Sequence, residues 1–169
     1  TDYLDLYLLH WRGRIPLAET MRAMEALAAA GKIRFFGVSN FDVDDLRDAE
    51  QELAGGRIAS NQVLYHLQER GIERRLIPYC AGRGIAVVGY TPFGRGKFPS
   101  PSSKGGRVLA AIAQRNGKTP RQVILNFLTR LPGVFTIPKA SNPEHVRENS
   151  QGAGWELSAE DIACIEEAF

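Results

Sequence analysis

The sequence predicts a parallel α/β fold, of the (β/α)8 TIM-barrel kind rather than an open doubly wound sheet. Three observations carry this. Five short runs rich in Val, Ile, Leu and aromatic residues alternate with stretches of helical periodicity. The runs are continuous more often than alternating, as strands covered on both faces of a parallel sheet are. Polar or aromatic residues gather at the C-terminal ends of the runs, at His10, Ser39–Asn40, Gln62, Tyr90 and Lys139. Function collected at successive strand C-termini is the mark of this barrel. A dinucleotide-binding open sheet is disfavoured, because no GxGxxG follows the first run and "GRG" at 94–96 lacks that spacing.

The first run, "LDLYLLH" (4–10), reads as a buried strand. In "PLAETMRAMEALAAAGK" (16–32) Leu17, Met21, Met24, Leu27 and Ala28 recur at helical steps, with Pro16 suited to the first turn and Gly31 to the stop. "IRFFGVS" (33–39) is the second strand, and Ser39 or Asn40 is placed to cap the helix of "DVDDLRDAEQEL" (42–53). "ASNQVLY" (59–65) is the third strand. "IERRLIPYCAGRG" (72–84) is helical with a kink or break expected at Pro78. "IAVVGYT" (85–91) is the fourth strand, followed by helices near 106–116 and 120–130. "VFTIPK" (134–139) is the fifth. Helices near 142–151 and 158–168 close the chain, the last capped by Ser158 with acids in its first turn.

A chain of 169 residues with 44% hydrophobic content can bury one substantial core. Lys and Arg number 21 against 19 Asp and Glu, so no strong field points to nucleic acid or an acidic membrane. Cys80 and Cys164 stand far apart, with no CxxC and no histidine at ligand spacing, which argues against a disulfide framework or a metal site. No apolar run reaches about 18 residues, and Asp2 and Asp5 stand where a signal peptide would carry lysines, so a cytoplasmic protein is expected. A full barrel takes about 250 residues. Five strands therefore account for five of eight βα units, and residues 1–169 are expected to be the C-terminal part of a single barrel domain with an open sheet edge.

Five strings taken in order, "DLYLLHW", "GKIRFFGVSNF", "NQVLYH", "VVGYTPFGRG" and "IPKASNPEHVREN", resemble the aldo-keto reductases from their fourth barrel strand to their end. The resemblance implies an NADPH-dependent carbonyl reductase, with NADP(H) favoured over NAD(H). It implies a catalytic tyrosine acid aided by a lysine, an aspartate and a histidine. His10 matches the histidine; the other three belong to the family's first three strands and match nothing here.

Each candidate has a plainer reading. His10 closes an apolar strand and also suits a core or rim position; at a barrel strand end, its imidazole N–H polarises a carbonyl and steadies the developing alkoxide. Trp11 suits the substrate pocket or rim packing. Ser39, Asn40 and Gln62 offer donors and acceptors for a nicotinamide carboxamide, against helix capping and ordinary strand-end hydrogen bonding. By the resemblance Tyr90 stacks on the nicotinamide, against a core tyrosine. The loop "TPFGRG", with Thr91, Phe93 and Arg95 among its glycines, brings backbone N–H groups and a guanidinium to a pyrophosphate, or is a simple Gly-rich turn.

Lys139, with Ser141 and Asn142 opening the next helix, places a cation and helix N-terminal amides around a phosphate; the resemblance implies that this is the adenosine 2′-phosphate and that Glu148 and Asn149 are the adenine-contacting pair. His145 stands where many members carry an arginine, and Arg147 falls on another helix face. His66 reads as a structural or rim histidine, "ERGIERR" (69–75) as a solvated, mixed-charge helix start, and "FPSPSSKGG" (98–106) as a flap or a mobile loop. The function expected is hydride transfer to an aldehyde or ketone, with this chain alone inactive. The alternatives are a non-catalytic NADPH-sensing subunit on the same barrel, and an independent protein that completes its sheet with a second copy. Expected partners are a small carbonyl substrate and the first part of the barrel, with neither nucleic acid nor membrane.

Overall fold

The computed structural model describes residues 1–169. Its elements are β1 (Leu4–Leu9), α1 (Leu17–Ala29), β2 (Ile33–Ser39), α2 (Val43–Gln51), β3 (Ser60–Leu64), a 3-10 turn (Gly71–Glu73), α3 (Leu76–Arg83), β4 (Ala86–Tyr90), α4 (Lys104–Asn116), α5 (Pro120–Leu128), β5 (Val134–Ile137), α6 (Pro143–Ser150) and α7 (Ala159–Ala168). The sheet follows chain order, β1-β2-β3-β4-β5, and β2 pairs parallel with both β1 and β3. Parallel neighbours need long crossovers, and the intervening helices supply them. No helix is long and apolar enough to cross a membrane.

Two compact units divide the chain: Thr1–Val63 with Gly71–Val88, and Leu64–Arg70 with Gly89–Phe169. The first buries Met21 and Met24 of α1, Phe36 and Val38 of β2, Leu46 of α2 and Cys80 of α3. Burial lifts the Cys80 thiol to about 11, with Glu50 adding to the shift, so it is an inert packed thiol. Gly37 is required where β2 passes β3, since an added Cβ would lie 2.5 Å from the Ser60 carbonyl oxygen. The second unit buries Leu109 and Ile112 of α4, Ile124, Phe127 and Leu128 of α5 and Ile165 of α7. Its buried Asp161 receives Arg115 and the Asn116 amide, so the carboxylate is paired rather than stranded.

Several expectations change in detail. β1 is not buried: Leu4 is 48% and Leu6 44% exposed, because β1 pairs only with β2 and lies at the edge of the sheet. Neither Ser39 nor Asn40 caps α2. Asp42 does, accepting from the Asp44 and Asp45 amides, while Asp45 reaches back to the Asp42 N–H; a reciprocal box satisfies two orphan donors at once. Pro16 is the residue before α1 rather than inside its first turn. Pro78 does not break its helix. α3 begins at Leu76, so Pro78 falls in the first turn, where a missing N–H costs nothing. β5 ends at Ile137, leaving Lys139 two residues beyond the strand.

Candidate functional site

In the first unit His10 and Ser39–Asn40 sit where β1 and β2 end, while Gln62, expected at a strand end, lies in the middle of β3. His10 follows β1 directly, and its ring lies parallel to that of Trp11, centroids 5.9 Å apart. Both are exposed. Asn40 adopts a left-handed backbone, φ 62°, which Asn tolerates better than most residues. Three hydrogen bonds hold it there. Its backbone N–H donates to the Gln62 carbonyl at 2.9 Å, and its side-chain Nδ2 donates to the His10 carbonyl at 3.3 Å and to Ser39 Oγ at 3.1 Å. Buried Ser39 donates its hydroxyl to the Gln62 carbonyl at 2.8 Å. His10, Ser39, Asn40 and Gln62 therefore form one local network. Asn61, which no local sequence signal marks, steadies it by donating to the Phe41 carbonyl at 2.8 Å.

In the second unit Tyr90 ends β4 and the loop after it is conformationally unusual. Thr91 has φ 53° and Arg95 φ 51°, with Gly94 and Gly96 also left-handed. A β-branched residue at such a φ is a true outlier. The turn is closed by Gly94 N–H to the Thr91 carbonyl, 2.9 Å, and Lys97 N–H to the Gly94 carbonyl, 3.1 Å. Arg95 carries its guanidinium 5.9 Å from the Tyr90 ring centre. Thr91 Oγ1 is buried without a hydrogen-bond partner, which costs about 1–3 kcal/mol unless a ligand satisfies it. Phe93 is half-buried and tilts against Phe98, 6.1 Å between ring centres.

The cationic end of this unit follows β5. Lys139 donates to Ser141, both exposed. Asn142 caps α6, accepting from the Glu144 N–H at 2.8 Å. His145, Glu148 and Asn149 are spaced to share one face of α6. Glu148 is the best fixed of them, accepting from Thr119 Oγ1 at 2.7 Å, while its own carbonyl accepts from Gln122 Nε2 at 3.0 Å. Thr119 and Gln122 form the capping box of α5; "TPRQ" carries that signal in the sequence, yet the support it gives Glu148 is tertiary and invisible there. Asn149 joins Leu125, Val134, Phe135 and Val146 around an apolar cavity of about 640 Å³. His66 is held by local contacts. Its backbone pairs with Glu69, its Nδ1 accepts from the Gln68 N–H at 3.3 Å, and burial, with Lys97 adding, lowers its pKa against the pull of Glu69.

The pattern of strand ends and strained loops has close counterparts. The aldo/keto reductase family model matches residues 1–169. The chain belongs to the aldo/keto reductase family. It is 42% identical to the methylglyoxal reductase YeaE of Escherichia coli over 170 residues, covering 100% of this chain and 60% of that protein. The solved thermostable aldo-keto reductase Tm1743 superposes with a TM-score of 0.92 at 38% identity, over 100% of this chain and 61% of its own. A Klebsiella pneumoniae aldo-keto reductase in complex with NADPH gives 0.90 at 43%, over 99% and 59%. The chain thus spans about three-fifths of the length of these relatives, and its α/β architecture is that of the aldo-keto reductase barrel.

Proposed function

We propose that this chain serves the NADPH-dependent reduction of aldehydes or ketones to alcohols, supplying the cofactor-holding residues and the carbonyl-polarising histidine as part of one barrel domain. One observation supports it above the rest. The chain has three non-glycine residues with left-handed backbones, Asn40, Thr91 and Arg95, and all three fall at positions where the sequence implied cofactor contacts. Strain of this kind, about 1–3 kcal/mol per residue, persists where it serves a site.

The roles follow from the side chains. In the first unit, Ser39 and Asn40 are fixed by their own hydrogen bonds, so with Gln62 they would orient a carboxamide without reorganising. Asn40 also bonds the His10 carbonyl and so anchors the backbone that carries the imidazole. His10 would donate its N–H to the substrate oxygen, favouring the charge that develops there. In the second unit, Tyr90 would stack on the nicotinamide ring. Orphaned Thr91 Oγ1, Phe93 and the Arg95 guanidinium would meet the pyrophosphate region, where a donor lacking a partner gains one. Lys139 and Ser141 would meet the 2′-phosphate, and His145, Glu148 and Asn149 the adenosine. When bound, NADPH supplies the hydride that reaches the carbonyl carbon, and the oxygen must then take a proton.

That proton is where this chain alone falls short. The acid, lysine and aspartate implied by the resemblance match none of its residues, and lost general acid catalysis costs about 10²–10⁴ in rate. The test combines NADPH fluorescence titration with a methylglyoxal reduction assay on the chain. Saturable NADPH binding, tighter than NADH binding, with negligible turnover is expected. No binding overturns the cofactor assignment, binding without preference for NADPH overturns the 2′-phosphate roles, and sustained turnover overturns the account of the missing acid.

A further inference from the structure

Four of the eight residues from Thr91 to Phe98 have left-handed backbones: Thr91, Gly94, Arg95 and Gly96. Such a segment stays in place only if its surroundings hold it. Two backbone hydrogen bonds close its turns, Gly94 to Thr91 and Lys97 to Gly94. Both run within the segment, so neither ties it to the rest of the unit. Pro92 and Gly94 are buried against the unit, and two rings of the segment make a further tie to its frame. Phe93 and Phe98 share a single guanidinium, that of Arg121, whose Cζ lies 4.8 Å from one ring centre and 5.0 Å from the other.

Arg121 is well founded. It is the second residue of α5, whose start is fixed by Pro120 and the Thr119–Gln122 capping box, and the three residues after it, Gln122, Val123 and Ile124, are buried. Arg121 and both rings are half-buried, so water competes only partly for the cation and each contact is stronger than on an open surface. A planar guanidinium can serve two rings together, where a lysine ammonium, as a point charge, favours one.

We infer that Arg121 is a positioning residue: it clamps Phe93 and Phe98 together and so holds the strained 91–98 segment in its ligand-ready form before any ligand arrives. The link to cofactor rests on the reading that Thr91, Phe93 and Arg95 contact it. A segment already ordered forfeits less freedom on binding, so the clamp raises affinity without touching the ligand.

The test uses Arg121→Met and Arg121→Lys in the chain as described. Amide hydrogen exchange without cofactor should quicken about tenfold at residues 92–98 in Arg121→Met, the loss of roughly two cation–π contacts. It should quicken less in Arg121→Lys and stay unchanged in β4 and the buried part of α5. Unchanged exchange at 92–98, or equal acceleration throughout the unit, overturns the clamp. NADPH and NADH should then weaken alike, by up to the same tenfold. Loss confined to NADPH would make Arg121 a phosphate ligand instead, and loosening with no change in affinity would sever the clamp from binding. If the unmodified chain binds neither cofactor, the proposed function fails while the exchange result still decides the clamp.

Discussion

Two regions hold left-handed residues by opposite means. In the first unit Asn40 is secured by neutral hydrogen bonds that its own chain completes, to Gln62, His10 and Ser39. In the second unit Thr91 keeps a buried hydroxyl without a partner, and Arg95 and Arg121 bring charge to aromatic faces. The first region spends its polar groups on shape. The second commits Arg121 to its rings but leaves the Thr91 hydroxyl without a partner and the Arg95 guanidinium exposed, groups that an anionic ligand can use. Changes in the first region should therefore be read in stability, and changes in the second in affinity.

The largest expected effect tests the first half of that contrast. Gly37→Ala would place a methyl 2.5 Å from the Ser60 carbonyl oxygen and 2.8 Å from Leu8 Cδ2. A strand cannot yield there without disturbing the β2–β3 register at Val38 and Ser39, so a loss of about 2–4 kcal/mol is expected in urea unfolding. Gly96→Ala meets nothing within 4 Å and bears only its φ of 86°, a cost of about 1 kcal/mol. Equal losses at the two sites would erase the distinction.

Lys139→Met probes the other half. Lys139 is exposed and donates only to Ser141, so unfolding should hardly change. NADPH affinity should fall by about 1–3 kcal/mol relative to NADH if one charge-assisted contact is lost. Equal weakening of both cofactors removes Lys139 from the 2′-phosphate. Asp42→Ala is smaller again: loss of the α2 cap should cost about 1 kcal/mol in thermal or urea unfolding. An unchanged midpoint would mean that the capping box holds nothing that water does not.

The alternation of strands and helices was legible because apolar runs and helical periodicity are local signals; β2 fell at Ile33–Ser39, as read. The strand-end positions of Ser39, Asn40 and Tyr90 were legible for the same reason. The cap of α2 is ambiguous in the sequence because "SN" precedes "D" and all three are good caps; backbone shape decides it, with Asn40 left-handed and Asp42 extended. The exposure of β1 was illegible because its composition suits a covered strand whether or not a neighbour covers it. Arg121 and the Thr119–Glu148 bond were out of reach for another reason. Both join residues far apart in the chain, and no spacing rule encodes such a meeting.

The smallest effect is carried by protons, and it also separates the two regions. In the first unit the loop after α2 turns three backbone N–H groups, of Ala54, Gly55 and Gly56, onto the carboxylate of Glu25 at 3.1, 3.0 and 2.6 Å. Such a nest of amides is an anion site, and here the chain fills it with its own carboxylate, just as it completes the network at Asn40. The bonds from Ala54, Gly56 and Gly55 hold the Glu25 pKa below its ordinary value. A carboxylate whose folded pKa is depressed adds stability that is fully present above the unfolded value of about 4.3 and is lost as pH falls through the folded one. Glu25→Gln cannot titrate, so its stability should lie below wild type at pH 7, with the gap narrowing as both are taken from pH 5 to pH 3. Urea midpoints across that range measure it. Parallel curves would mean that the loop is held by its backbone alone and that the first unit does not fill its own anion site to any energetic purpose.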